Sequence, residues 1–170
     1  MKIAIFVFTI SLVFTFNKAF SQDTIHWSPC YKLKWEDFQG TPDTTSKFKA
    51  VSAASINYTL TNDEKSFSYN VICVFYKKKS WSKSKSGNLL RHEQGHFDLA
   101  ELFARKLRQA FKNYKFNNPA TIQNDFKQIA KDIRSERDKV NTMYDKETNF
   151  SINKEKQVYW SKRIAKELLK

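Results

Sequence analysis

From Ser86 to Tyr114 apolar residues recur at helical spacing with no proline among them, and the run stops before Asn117-Asn118-Pro119. A helix of that length must lay a continuous apolar stripe against something, so it fixes much of what the chain can become. At about 100° per residue, Leu90, Phe97, Ala100, Phe103, Ala104, Leu107, Phe111 and Tyr114 share one broad side. Gln94, Asp98, Glu101, Arg105, Gln109 and Lys112 fall opposite and are expected to be solvated.

Inside this helix stands His92-Glu93-Gln94-Gly95-His96, which fits H-E-x-x-H. His92, Glu93 and His96 belong to the apolar side, with Glu93 near its middle. A carboxylate aimed into an apolar face is costly unless a cation or a wet cleft meets it. His92 and His96 are one turn apart, so their rings can converge on one ion, and neutral imidazole is a good zinc ligand. Glu93 beside them can take a proton from a zinc-activated water, the chemistry of amide hydrolysis. A core helix with two hydrogen-bonded histidines and a Glu–Lys pair is the plainer reading, and the apolar facing of the three residues weighs against it.

Residues before this helix read as strands. Val51 to Leu60 and Phe67 to Tyr76 are rich in β-branched and aromatic residues, and the polar turn Thr61–Lys65 joins them as an antiparallel hairpin. Leu33 to Phe38 is a shorter aromatic segment of the same region, closed by Gly40 and Pro42. The exposed edge expected for Phe67–Tyr76 could take up a peptide by strand addition. After the long helix, periodicity predicts two more, over Thr121–Met143 and Lys154–Leu169. The expected class is α+β, a small antiparallel sheet followed by three helices, in one domain over residues 22–170.

Residues 1–21 are expected to be a secretory signal peptide: Met1-Lys2, an apolar run from Ile3 to Phe16, then Ala19-Phe20-Ser21 before a cut at Gln22. The mature protein would be secreted or periplasmic, with no stable membrane span. In that compartment Cys30 and Cys73, the only two cysteines, are expected to pair. The chain's formal charge of +13 falls only by Lys2 and Lys18 on cleavage. Such a charge suits anionic surface polymers or acidic substrates, or is simply a solvated lysine-rich surface. The lysines are scattered, with no stripe alternating with aromatics, which argues against nucleic acid. Lys77, Lys78, Lys79, Lys83 and Lys85 form a basic cluster just before the motif.

The chain resembles a family of secreted bacterial proteins, domain of unknown function 922, expected to be zinc-dependent proteases. The resemblance rests on Leu33–Gly40 (LKWEDFQG), Ser80-Trp81, Leu89–Asp98 (LLRHEQGHFD), Ala104–Arg108, Tyr144–Thr148 (YDKET), Gln157 and Trp160. It implies a zincin-like core with His92 and His96 as ligands and Glu93 as general base, acting on a peptide or protein substrate. The family pattern places a third histidine just after Y-D-x-x-T, where this chain has Phe150. Phenylalanine cannot bind zinc. Asp145 and Glu147 are oxygen donors in that segment, and a His₂-carboxylate set is an established catalytic arrangement. His26 is the one other histidine, and nothing in the sequence brings it to the helix. Two protein ligands alone would leave zinc weakly held or absent. Tyr144 is a candidate hydrogen-bond donor to a tetrahedral oxyanion, or else a packed aromatic. Trp35, Trp81 and Trp160 read as core anchors. The function expected is a secreted zinc metallopeptidase-like hydrolase; the alternative is a non-catalytic member of the family serving as an extracytoplasmic binding module.

Overall fold

Two small antiparallel sheets followed by three helices make up the fold, in a computed structural model that describes residues 23–170. The signal peptide expected over residues 1–21 lies outside the described residues. No described helix is long and apolar enough to cross a membrane. The strands are β1 (Thr24–His26), β2 (Ala50–Val51), β3 (Ala54–Asn62), β4 (Phe67–Tyr76) and β5 (Trp81–Ser82). The helices are α1 (Gly87–Lys112), α2 (Ile122–Thr148) and α3 (Lys154–Leu168). The α+β class and its order of elements are as the sequence predicts.

The β3–β4 hairpin pairs from Ala54↔Phe75 to Asn62↔Phe67. Asp63 turns it: its Oδ1 accepts from the Lys65 and Ser66 amides at 2.8 and 2.7 Å, a local mimic of a backbone turn. Val71, Cys73 and Phe75 alternate onto the buried face of β4, with Ile56 of β3 opposite Cys73. Against them α1 lays Phe97, Ala100, Ala104, Leu107 and Phe111. The core closes on Ile122, Phe126, Ala130 and Ile133 of α2. A second, smaller cluster of Leu99, Tyr144, Trp160 and Ile164 joins all three helices beside the motif.

Several expectations are corrected. β4 is the middle strand, in the order β1-β4-β3: β3 pairs it from Phe67 to Phe75 on one side and β1 takes Val74–Tyr76 on the other, so the edge expected to be free is partly occupied. Val51 to Leu60 is not one strand. Ala50–Val51 pairs with β5, and the chain breaks at Ser52-Ala53, where the Ala53 amide donates to Ser80 Oγ at 2.9 Å. Leu33–Phe38 is not extended either: Trp35–Asp37 is a 3₁₀ turn held by Asp37, whose Oδ2 accepts from the Lys34 amide at 2.8 Å. The Tyr31 hydroxyl donates to the same carboxylate at 2.8 Å; burial first and then Asp37 push the phenol up to about 12.

Asp98 and Glu101, expected on a solvated face, are buried. The segment around β1 and the arginines of α1 cover them. Asp98 accepts from the Trp27 indole and from Gln94, both at 2.8 Å, and Glu101 is bridged by Arg105 and Arg108. Cys30 and Cys73 are both free thiols. Cys30 is exposed, while Cys73 is buried in the sheet core, where burial pushes its thiol well up. Trp160 is a core anchor as expected, whereas Trp35 and Trp81 are half-buried. Finally, α2 continues past Met143 to Thr148, which puts Tyr144, Asp145 and Glu147 on a helix.

Candidate metal centre

Ser86 starts α1, its Oγ accepting from the Leu89 amide at 3.2 Å, and the motif follows within two turns. His92 and Glu93 are each 3% exposed. What allows the motif to meet α2 is Gly95. A β-carbon there would stand 2.2 Å from the Tyr144 hydroxyl, so only glycine lets that ring lie on the backbone of α1. Tyr144 stacks on the His92 ring at 4.6 Å between centroids and meets His96 edge-on at 5.0 Å.

One residue on, Asp145 completes a triangle. Its Oδ1 lies 3.1 Å from His92 Nε2 and 3.0 Å from His96 Nε2, and the two Nε2 atoms are 3.2 Å apart. The other nitrogen of each ring is engaged elsewhere. His92 Nδ1 meets Gln157 Oε1 at 3.2 Å, and His96 Nδ1 meets Asn141 Oδ1 at 3.2 Å. Gln157 spends its Nε2 donating to the Tyr144 hydroxyl at 2.7 Å, and that hydroxyl donates to the His92 carbonyl at 3.1 Å. With amide oxygens on both Nδ1 atoms, the neutral rings carry their hydrogens there and turn both Nε2 lone pairs toward Asp145.

Three acceptors facing one another at this range repel unless a cation joins them. Two donors about 2.0–2.1 Å from a tetrahedral zinc ion stand roughly 3.3 Å apart, close to the spacings of the triangle. The donor set therefore fits zinc. Without metal, a proton takes its place. Burial opposes charge on His96, but the hydrogen bond it donates to Asp145 and the nearby Glu93 outweigh it and raise its pKa. Burial likewise works against the Asp145 carboxylate, yet the two histidines hold it well below the usual carboxylate range.

Glu93 lines the same cleft, a cavity of about 470 Å³. Its Oε2 accepts from the Ser52 hydroxyl at 2.6 Å, the contact that the break between β2 and β3 makes possible. Past the end of α2, Asn149, Phe150 and Ser151 have φ of 46°, 50° and 79°. Three consecutive left-handed residues other than glycine store backbone strain beside a site. They carry Phe150 into the cleft wall, 5.7 Å from the Phe48 ring, rather than over the histidines.

Of the residues singled out from the sequence, the structure brings together His92, His96, Glu93 and Asp145. Glu147 points away, its Oε2 accepting from the Trp160 indole at 2.8 Å, because two residues turn a helix by roughly 200°. His26 is exposed at the end of β1, opposite Val74, and takes no part. Tyr144 is fully buried against the two histidines with its hydroxyl donating to the His92 carbonyl, so it does not face the cleft as an oxyanion donor would. Four supporting residues had no role from sequence: Gly95, Ser52, Asn141 and Gln157. Asn141 precedes Asp145 by one helical turn, a spacing that could have exposed it. Gln157 comes from another helix, where no local pattern reaches.

Residues 31–151 match the family described as bacterial protein of unknown function (DUF922). No curated protein and no solved structure gives a significant match.

Proposed function

The chain belongs to the DUF922 family, and from that premise we propose that it is an exported, zincin-like, zinc-dependent metallopeptidase whose third ligand is the carboxylate of Asp145. The convergence of His92 Nε2, His96 Nε2 and Asp145 Oδ1 within 3.0–3.2 Å carries this reading. Zinc held there would supply a Lewis acid and lower the pKa of a water ligand toward ~7.

The chain's own groups then divide the remaining work. Gln157 and Asn141 hold the imidazoles in the tautomer that leaves Nε2 free. Ser52 fixes Glu93 through Oε2, leaving Oε1 to take a proton from the attacking water and return it to the departing amine. Phe48 and Phe150 line the cleft with apolar surface and limit the water that enters.

Metal analysis of the purified mature chain tests this reading, with a screen of peptide cleavage alongside. We expect about one zinc per chain and cleavage that stops in Glu93→Gln. A folded chain that takes up no zinc overturns the enzyme and leaves the non-catalytic binding module.

A further inference from the structure

The cleft has a direction. His92 meets Asp145 and Thr148, while one turn later His96 meets Asn141, so α1 and α2 run antiparallel along it. Leu89 and Phe150 line one end, the acceptor triangle the middle, and Ala100 of α1 with Arg137 of α2 the other end. Arg137 precedes Asn141 by one turn and Asp145 by two, which puts its backbone roughly 6–12 Å along α2 from those residues. That is about two to three residues of extended peptide.

The Arg137 side chain is only 18% exposed, yet its partner is the adjoining Asp138, 65% exposed. Nε and Nη2 share one oxygen of that carboxylate at 3.2 and 3.0 Å. Among the described residues Nη1 has no hydrogen-bond partner. A guanidinium offers five donors in a planar fork suited to a carboxylate, and a solvated neighbour on the same helix leaves most of that capacity unused. Ala54 and Ala100, which line the same cleft, are small and apolar and leave room for a ligand group. Lys47 and Lys49 line the cleft as well and add positive charge. Among the described residues the carboxylates that line the cleft, Glu93 and Asp145, are already committed to the central site.

We propose that Arg137 anchors a carboxylate of the substrate, so that the cleft selects peptides bearing an acidic group two to three residues from the bond at the central site. This inference rests on reading the cleft as a peptide-binding site. The carboxylate is an Asp or Glu side chain or the C-terminal carboxylate, and the experiment separates these sources.

The test is calorimetric binding of apolar hexapeptides to the mature Glu93→Gln chain, loaded with zinc and again after chelation. One peptide series exchanges Glu for Gln at each position in turn, and another compares free with amidated C-termini. A charge-assisted hydrogen bond predicts that at least one acidic peptide binds about tenfold or more tighter than its neutral twin. The series that shows the difference identifies the source. Arg137→Gln should abolish the difference without weakening the neutral peptide, and Arg137→Lys should retain part of it. Equal binding of acidic and neutral peptides overturns the proposal, as does a preference that survives Arg137→Gln, which would belong to Lys47 and Lys49. A preference lost in Arg137→Gln but seen in a chain that neither binds zinc nor cleaves peptides would sustain the carboxylate anchor and sink the metallopeptidase alone.

Discussion

The Tyr144 hydroxyl occupies the space that a side chain at position 95 would need: a β-carbon on Gly95 would sit 2.2 Å from it. The ring that fills this space also stacks on His92. The glycine of HEQGH therefore sets how closely the helix bearing Asp145 approaches the helix bearing the histidines.

Gly95→Ala is expected to be destabilising even though alanine favours helix by about 1 kcal/mol. Tyr144 is fully buried and cannot swing aside. Overpacking of this kind costs typically about 1–3 kcal/mol, and a clash with a side chain that cannot move belongs at the upper end, so the net loss should approach about 2 kcal/mol. Urea denaturation measures the stability. Zinc affinity should fall as well, because Asp145 is carried outward with the helix. A variant that is as stable as the parent and binds zinc as tightly would show that the two helices do not approach this closely.

Much of this geometry was legible in the residues. The apolar facing of His92, Glu93 and His96 marked the site, and Asp145 stood among the candidate third ligands. The sequence left Asp145 and Glu147 equivalent because the second helix was expected to end at Met143; once α2 continues to Thr148, helical rotation separates them. Asp98 and Glu101 were misplaced for a different reason. A helical wheel assigns one wet side, whereas α1 is covered on several sides, and its acids are buried against Trp27 and Arg108. Tertiary partners of that kind leave no periodic trace.

Asp145→Ala should weaken zinc binding by more than about 100-fold, since loss of a partner outside the ligand shell already costs 10–100-fold. Competition against a chromophoric chelator measures this. Phe150 begins in the turn that follows Asp145, its amide donating to the Asp145 carbonyl at 3.0 Å, and it lines the same cleft. Because the side chain at position 150 turns to Phe48 and not over the histidines, adding Phe150→His to Asp145→Ala should restore little of the affinity. Recovery of most of it would mean that position 150 reaches the two histidines.

Gln157→Leu keeps the volume of a buried side chain and removes its amide contacts to His92, Tyr144 and Ser161. It should lower zinc affinity about 10–100-fold, because His92 loses the amide oxygen that, with Thr148 Oγ1, holds its tautomer. Ser52→Ala offers the contrast. It frees Glu93 Oε2 without touching a ligand, so zinc affinity should stay within about threefold while kcat falls, by roughly tenfold for one lost orienting hydrogen bond. If both variants changed zinc affinity alike, the division between ligand support and base support would be wrong.

Chelation should lower the thermal midpoint, and by an amount that grows with pH. Zinc at 100 times its Kd stabilises a folded chain by about 2.7 kcal/mol, roughly 5–10 °C for a domain of this size. The metal-free chain relies instead on the proton shared by His96 and Asp145. The His96 pKa is raised on folding, so its contribution is fully present below the ordinary histidine value and is lost as pH rises through the raised one. The Asp145 pKa is lowered, so its contribution stays constant above the ordinary carboxylate range and does not change near neutrality. Zinc bound at the triangle would also displace that proton and would bind better as protons become scarce. Both effects widen the gap between zinc-loaded and chelated protein from pH 6 to pH 8. Scanning calorimetry of the two forms across that interval measures it, and a gap that is flat or narrows with pH would rule out a proton and a zinc ion competing for one triangle of donors.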